Sequence, residues 1–146
     1  MKTSVIKISA YIIFFTFILL LSPQCKKDKN SAIPYAYVNF YINPNSTQYN
    51  NLVVTGGWVY VTGGVRGIIL YRQSQDQFMA YERDCPYQPS NTCALVQVEK
   101  SGVIAIDSCC GSQFLMYDGS IVKGPATVGL KQYTTSYDGA TLHVSN

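Results

Sequence analysis

Five cysteines and a single histidine carry most of the reactive chemistry available to this chain of 146 residues. Cys85 and Cys93 bound one loop, in which Pro86, Pro89, Ser90 and Asn91 rule out regular structure. Cys109 and Cys110 are adjacent in a second loop, Asp107-Ser108-Cys109-Cys110-Gly111-Ser112. Two such loops meeting at one end of a small β-domain can hold a cluster, a metal ion or disulfides. Closed zinc sites usually draw on pairs spaced C-x2–4-C, whereas these spacings are C-x7-C and C-C. Neighbouring residues on an extended chain also point to opposite sides, so both rarely reach one ion. Four cysteines allow three disulfide pairings, and the one containing a vicinal Cys109–Cys110 bridge is strained.

The remaining searches for chemistry return little. His143 sits in a Thr-Leu-His-Val-Ser run, and alternation makes it an exposed strand residue opposite the Leu142/Val144 face. No histidine-containing dyad can be built near Ser112 or the cysteines. The glycine pairs Gly56-Gly57 and Gly63-Gly64 lack the lysine and following helix of a phosphate loop. Asp84, Asp107 and Asp118 flank turns, where aspartate commonly hydrogen-bonds its own backbone. No catalytic residue is assigned.

The elements that must position the two loops are strands. Residues 35–42, 52–55, 58–61, 67–72, 77–83, 94–98, 103–106, 114–117, 120–123, 133–137 and 141–145 are β-rich runs separated by turn signals. Residues 67–72 and 77–83 flank the polar turn 73–76, and residues 94–98 and 103–106 flank Glu99-Lys100-Ser101-Gly102. Asp118-Gly119 suits a two-residue hairpin turn, and Asp138-Gly139 joins the last pair. Residues 48–51 read as polar loop, and no helix is expected. This pattern predicts an all-β fold, a small antiparallel sandwich or barrel. Tyr35, Tyr37, Tyr41, Tyr60, Tyr71 and Tyr81 alternate along strands and are expected to pack on sheet faces.

Charged residues make up 13% of the chain, and the net charge is only +3. Lys2, Lys7, Lys26, Lys27 and Lys29 all precede residue 30, so the rest has no nucleic-acid footprint. Residues 8–21 are uncharged and apolar, too short for a comfortable membrane span and suited to a secretory signal. Cys25 follows directly, ahead of Lys26-Lys27-Asp28-Lys29. This arrangement resembles the signals of Bacteroidetes-type lipoproteins, with Gln24 in place of the usual small residue. The resemblance implies a signal peptide over residues 1–24, lipidation of Cys25 and a tether over residues 25–34. It places the protein in the bacterial cell envelope, anchored to a membrane through lipid, where cysteines meet an oxidising compartment.

The chain from Cys110 onward carries a second resemblance. Gly111-Ser112, Phe114, Gly119, Gly124-Pro125-Ala126, Leu130 and Tyr133 fall in the register of the second half of a Rieske iron–sulfur domain. The resemblance covers about residues 58–146 and implies a Rieske-like β-domain over residues 35–146, with a two-loop subdomain where the family binds [2Fe–2S]. Such a cluster takes two cysteine thiolates on one iron and two histidines on the other. At the four ligand positions this chain has Cys85, Tyr87, Asp107 and Cys110, of which only Cys85 is of the matching type. Tyr87 would have to lose a proton with an ordinary pKa near 10. Cys93 and Cys109 match the extra cysteines that link the loops in cytochrome bc-type members, which implies a Cys93–Cys109 disulfide. It also leaves Cys85 facing Cys110, and a Cys85–Cys110 bridge in place of the cluster is expected. The expectation is therefore a non-enzymatic domain without cofactor or metal, with a binding or structural role beside an unidentified envelope protein. The alternative is an electron-transfer protein with [2Fe–2S] on a modified ligand set.

Overall fold

The computed structural model describes residues 33–146. The signal, Cys25 and most of the tether lie outside the described residues. Ten strands follow in chain order: β1 (Asn39–Ile42), β2 (Trp58–Val61), β3 (Ile68–Arg72), β4 (Phe78–Glu82), β5 (Val96–Val98), β6 (Ile104–Asp107), β7 (Gln113–Leu115), β8 (Ile121–Lys123), β9 (Gln132–Tyr137) and β10 (Leu142–Ser145). They form a six-stranded sheet in the order β1-β10-β9-β4-β3-β2 and a four-stranded sheet β5-β6-β7-β8. Every pairing is antiparallel, so the all-β reading holds. The larger sheet curls, and its edge strands β1 and β2 line one groove from opposite sides. Among the described residues no helix is long and apolar enough to cross a membrane.

Strands β3 and β4 explain how so small a chain builds two cores. Alternate residues of a strand face opposite ways. On one face, Ile68, Leu70, Phe78 and Ala80 join Val38, Leu52, Tyr133, Leu142 and Val144 inside the curl. On the other, Ile69 and Tyr81 join Val96, Ala105, Phe114, Met116 and Leu130 between the sheets. The β3–β4 hairpin is thus a wall shared by both cores, which is why it reads as a nearly continuous apolar run. Beyond Glu82 the β4 strand carries on into the smaller sheet. Val96 N donates to Arg83 O at 2.8 Å and Cys85 N to Ala94 O at 3.2 Å, with an isolated bridge between Asp84 and Leu95.

Three local expectations change. Residues 47–53 form a 3-10 helix (Thr47–Val53), where residues 52 and 53 were expected in a strand. Leu52 is drawn into the core within the curl, and the guanidinium of Arg72 takes up the carbonyls that a ladder would have used. Arg72 donates to Leu52 O at 2.9 Å, Val53 O at 3.2 Å and Ser74 O at 3.2 Å, and also to Gln75 O. The β7–β8 turn is longer than two residues. Leu115 N bonds Ser120 O, Gly119 N bonds Leu115 O, and a bulge lies between Gln113 and Phe114. The tyrosines divide as well: Tyr81 is fully buried, whereas Tyr35, Tyr37 and Tyr41 are 77%, 73% and 66% exposed. His143 lies opposite the buried Leu142 and Val144 as expected, stacked on Tyr41 with ring centroids 4.2 Å apart.

Arg72 is 92% removed from solvent by its 8% exposure, and hydrogen bonds from a charged donor are worth about 1.5–3 kcal/mol each, not additively. Arg72→Met should therefore lower stability by about 3 kcal/mol in urea unfolding. A loss under ~1 kcal/mol would mean that the four carbonyls are satisfied otherwise.

Candidate functional site

The site is built from Glu82 outward. This carboxylate ends β4, is fully buried, and accepts from four donors. Val65 N donates to Oε2 at 2.7 Å, Arg66 N to Oε1 at 3.0 Å, Asp84 N to Oε1 at 3.0 Å and Tyr133 Oη to Oε2 at 2.7 Å. Close approach of the 63–67 turn to Oε2 requires glycine at position 64: a Cβ there would sit 2.2 Å from that oxygen, and the backbone has φ +64°. Burial and the neighbouring Glu82 carboxylate hold the Tyr133 phenol well above its ordinary pKa.

With its backbone fixed by Glu82, Arg66 reaches across to the first cysteine loop. Its guanidinium donates to Thr92 O at 2.6 Å, Asn91 O at 2.7 Å and Pro89 O at 3.3 Å. Its Nε also lies 3.0 Å from Asp84 Oδ1, an ion pair whose angle makes no hydrogen bond. Both oxygens of the buried Asp84 lack a hydrogen-bond partner among the described residues. Burial pushes the Asp84 carboxyl up to about 6 against the pull of Arg66, with Glu82 and Asp107 adding to the rise. Asp84 and Asp107, expected to flank turns and bond locally, are both fully buried, and Asp107 Oδ1 accepts from Cys109 N at 2.8 Å.

The second loop joins β6 to β7. Asp107 N bonds Ser112 O at 3.0 Å and Gly111 N bonds Asp107 O at 2.7 Å, a tight return that Gly111 completes at φ +78°. The Cys93–Cys109 disulfide ties the two loops together, as the resemblance implied. Its Cα atoms lie 5.6 Å apart, within the usual range for a bridge. This use of Cys93 and Cys109 leaves no four-cysteine zinc site.

The expected Cys85–Cys110 bridge is not formed. Both are free thiols with sulfurs 3.9 Å apart, nearly twice the ~2.05 Å of a disulfide. The reason is local: Cys110 Sγ is drawn to Asp107 Oδ2 and to Ser112 Oγ, each at 3.1 Å. Burial, then hydrogen bonding to Asp107, holds the Cys85 thiol well above its ordinary pKa, while the Tyr87 backbone amide pulls the other way. Three of the four positions named from sequence therefore converge. The ligand atoms of Cys85, Asp107 and Cys110 lie within 4.8 Å of one another. Tyr87 joins them through its backbone, while its ring packs against the apolar cluster that contains Cys85.

This donor set does not fit a [2Fe–2S] cluster. No histidine is present at either loop, so the imidazole-ligated iron has no partners of its type. In the family's arrangement Cys85 and Cys110 would serve different irons. Two metal–sulfur bonds of about 2.3 Å plus the iron–iron gap set such ligands roughly 6 Å apart or more, against 3.9 Å here. No protein-family model matches the chain, and no curated protein matches it.

Two outcomes follow. A raised phenol pKa in the fold means that the unfolded chain releases that proton first. The Tyr133 contribution to stability is then constant below pH ~10 and falls as pH rises above it. Tyr133→Phe should lower stability at pH 7 by about 1–2 kcal/mol and make the alkaline decline shallower in denaturant titrations; an unchanged decline would contradict this assignment. Replacing both Cys93 and Cys109 with alanine should cost about 3 kcal/mol, the chain-entropy value for a loop of this length, read as a lower thermal midpoint under non-reducing conditions.

Proposed function

We propose that this chain is an exported, lipid-anchored domain that keeps a Rieske-like two-loop scaffold without the [2Fe–2S] cluster, and acts as a binding or structural component of the cell envelope. The observation that carries the cluster-free part of this reading is the 3.9 Å separation of Cys85 Sγ and Cys110 Sγ, at positions where ligands of two different irons would have to stand apart. The disulfide between Cys93 and Cys109 supports an oxidising compartment. The leader read from sequence, with Cys25 behind an apolar run, supplies the route of export and the anchor. A buried wall shared by two cores and a stapled pair of loops support the structural part of this reading.

The test is the iron content and visible spectrum of the full chain recovered from a membrane fraction, together with the membrane partition of a Cys25→Ser variant. The expected results are a colourless protein without paired irons, and release of the variant from the membrane. A brown protein with two irons per chain would replace this reading with electron transfer. A variant that stays on the membrane would overturn the anchor.

A further inference from the structure

We infer that Cys85, Cys110 and Asp107 form a site for one divalent metal ion of the zinc class, with a fourth position open toward solvent. This inference rests on the cluster-free reading of the two loops and goes beyond it, because it gives the vacated position a ligand of its own.

The distances decide between one ion and a covalent bridge. Tetrahedral zinc with metal–sulfur bonds of about 2.3 Å holds its two sulfurs roughly 3.8 Å apart. The Cys85 and Cys110 sulfurs are 3.9 Å apart, so they already form one edge of that tetrahedron. Closing them into a disulfide would require an approach of nearly 2 Å between loops already pinned by Arg66 and by the Cys93–Cys109 staple. Asp107 Oδ2 supplies the third corner, 3.1 Å from Cys110 Sγ, and all three donors lie within 4.8 Å of one another.

Each donor is also oriented by an outer hydrogen bond, as ligands of metal centres usually are. Cys109 N donates to Asp107 Oδ1 at 2.8 Å, which leaves Oδ2 turned to the sulfurs. Ser112 Oγ is fixed by Ala126 N at 2.9 Å and sits 3.1 Å from Cys110 Sγ. Ser112 N approaches the same sulfur at 3.4 Å, and the Tyr87 amide bonds Cys85. Two thiolates and one carboxylate are a soft, anionic set that selects zinc over magnesium or calcium. Cys85 and Asp107 are fully buried, while Cys110 is only half-buried, and the space beside Gly111 is open. Three protein donors and one open side are the pattern of zinc sites that accept water or an incoming ligand. Binding involves no redox change: the ion takes up both thiolates, and two thiol protons leave to solvent.

The experiment uses the full chain in detergent, with zinc alone in competition with a chromophoric chelator, and cobalt(II) as the spectroscopic stand-in. One ion per chain is expected, with sulfur-to-cobalt charge-transfer bands. Affinity should rise with pH as two protons are released per ion. Cys110→Ser, at a half-buried position, should weaken binding roughly 100-fold or more, and Ser112→Ala about 10-fold. The wild-type stoichiometry and proton count need no variant to fold. A chain that takes up no zinc, whether its two thiols react freely or have closed into a disulfide, overturns this site and leaves the cluster-free reading standing. Two irons per chain overturn both.

Discussion

A carboxylate buried away from solvent must find its hydrogen bonds in the protein, and the arrangement of this fold follows from how Glu82 does so. Its four donors come from the 63–67 turn, from the start of the first cysteine loop and from β9. Glu82 thereby joins three segments distant in sequence at the point where β4 leaves the curled sheet and enters the smaller one. An unpaired buried charge would cost far more than the net worth of any one of these bonds. The network locks the end of the wall that separates the two cores. Arg66 carries the same constraint outward, since its backbone is held by Glu82 and its guanidinium holds the carbonyls of residues 89, 91 and 92.

That scaffold brings two loops together and fixes their reactive groups at short range. The disulfide uses Cys93 and Cys109 as a staple, so the remaining thiols are free to present sulfur to one another across 3.9 Å. Burial disfavours an ionised thiol and pushes the Cys85 thiol up. A bound dication would reverse that preference, because the ion would be the largest local charge and would stabilise the thiolates. The separation of the sulfurs, not their identity alone, determines what the loops can hold.

Much of the architecture was legible in the sequence, because turn chemistry and period-two patterning are local signals. The runs that became β2, β3, β4, β9 and β10 stand within a residue or two of where alternation and glycine turns put them. The Cys93–Cys109 disulfide came from a resemblance in cysteine placement. The buried polar network did not come through, although part of it was readable. Alternation from Phe78 and Ala80 places Glu82 on their face, and alternation from Ile68 and Leu70 does the same for Arg72. Partners remote in sequence make those charged positions interior, and alternation alone does not reveal such partners. The 3-10 helix was missed for a related reason: Leu52 and Val53 look like strand residues until Arg72, twenty positions on, captures their carbonyls. The failure of the Cys85–Cys110 bridge depended on Asp107 and Ser112 turning toward Cys110, a geometry that spacing does not encode.

The most direct test of the central claim, a two-loop scaffold that holds no two-iron cluster, is native mass spectrometry of the full chain after export. The account predicts a mass with one disulfide and no increment for two irons and two sulfides, with a single-ion adduct lost on acidification. An increment matching [2Fe–2S] would contradict it, and would require the loops to open well beyond the 3.9 Å that now separates their free sulfurs.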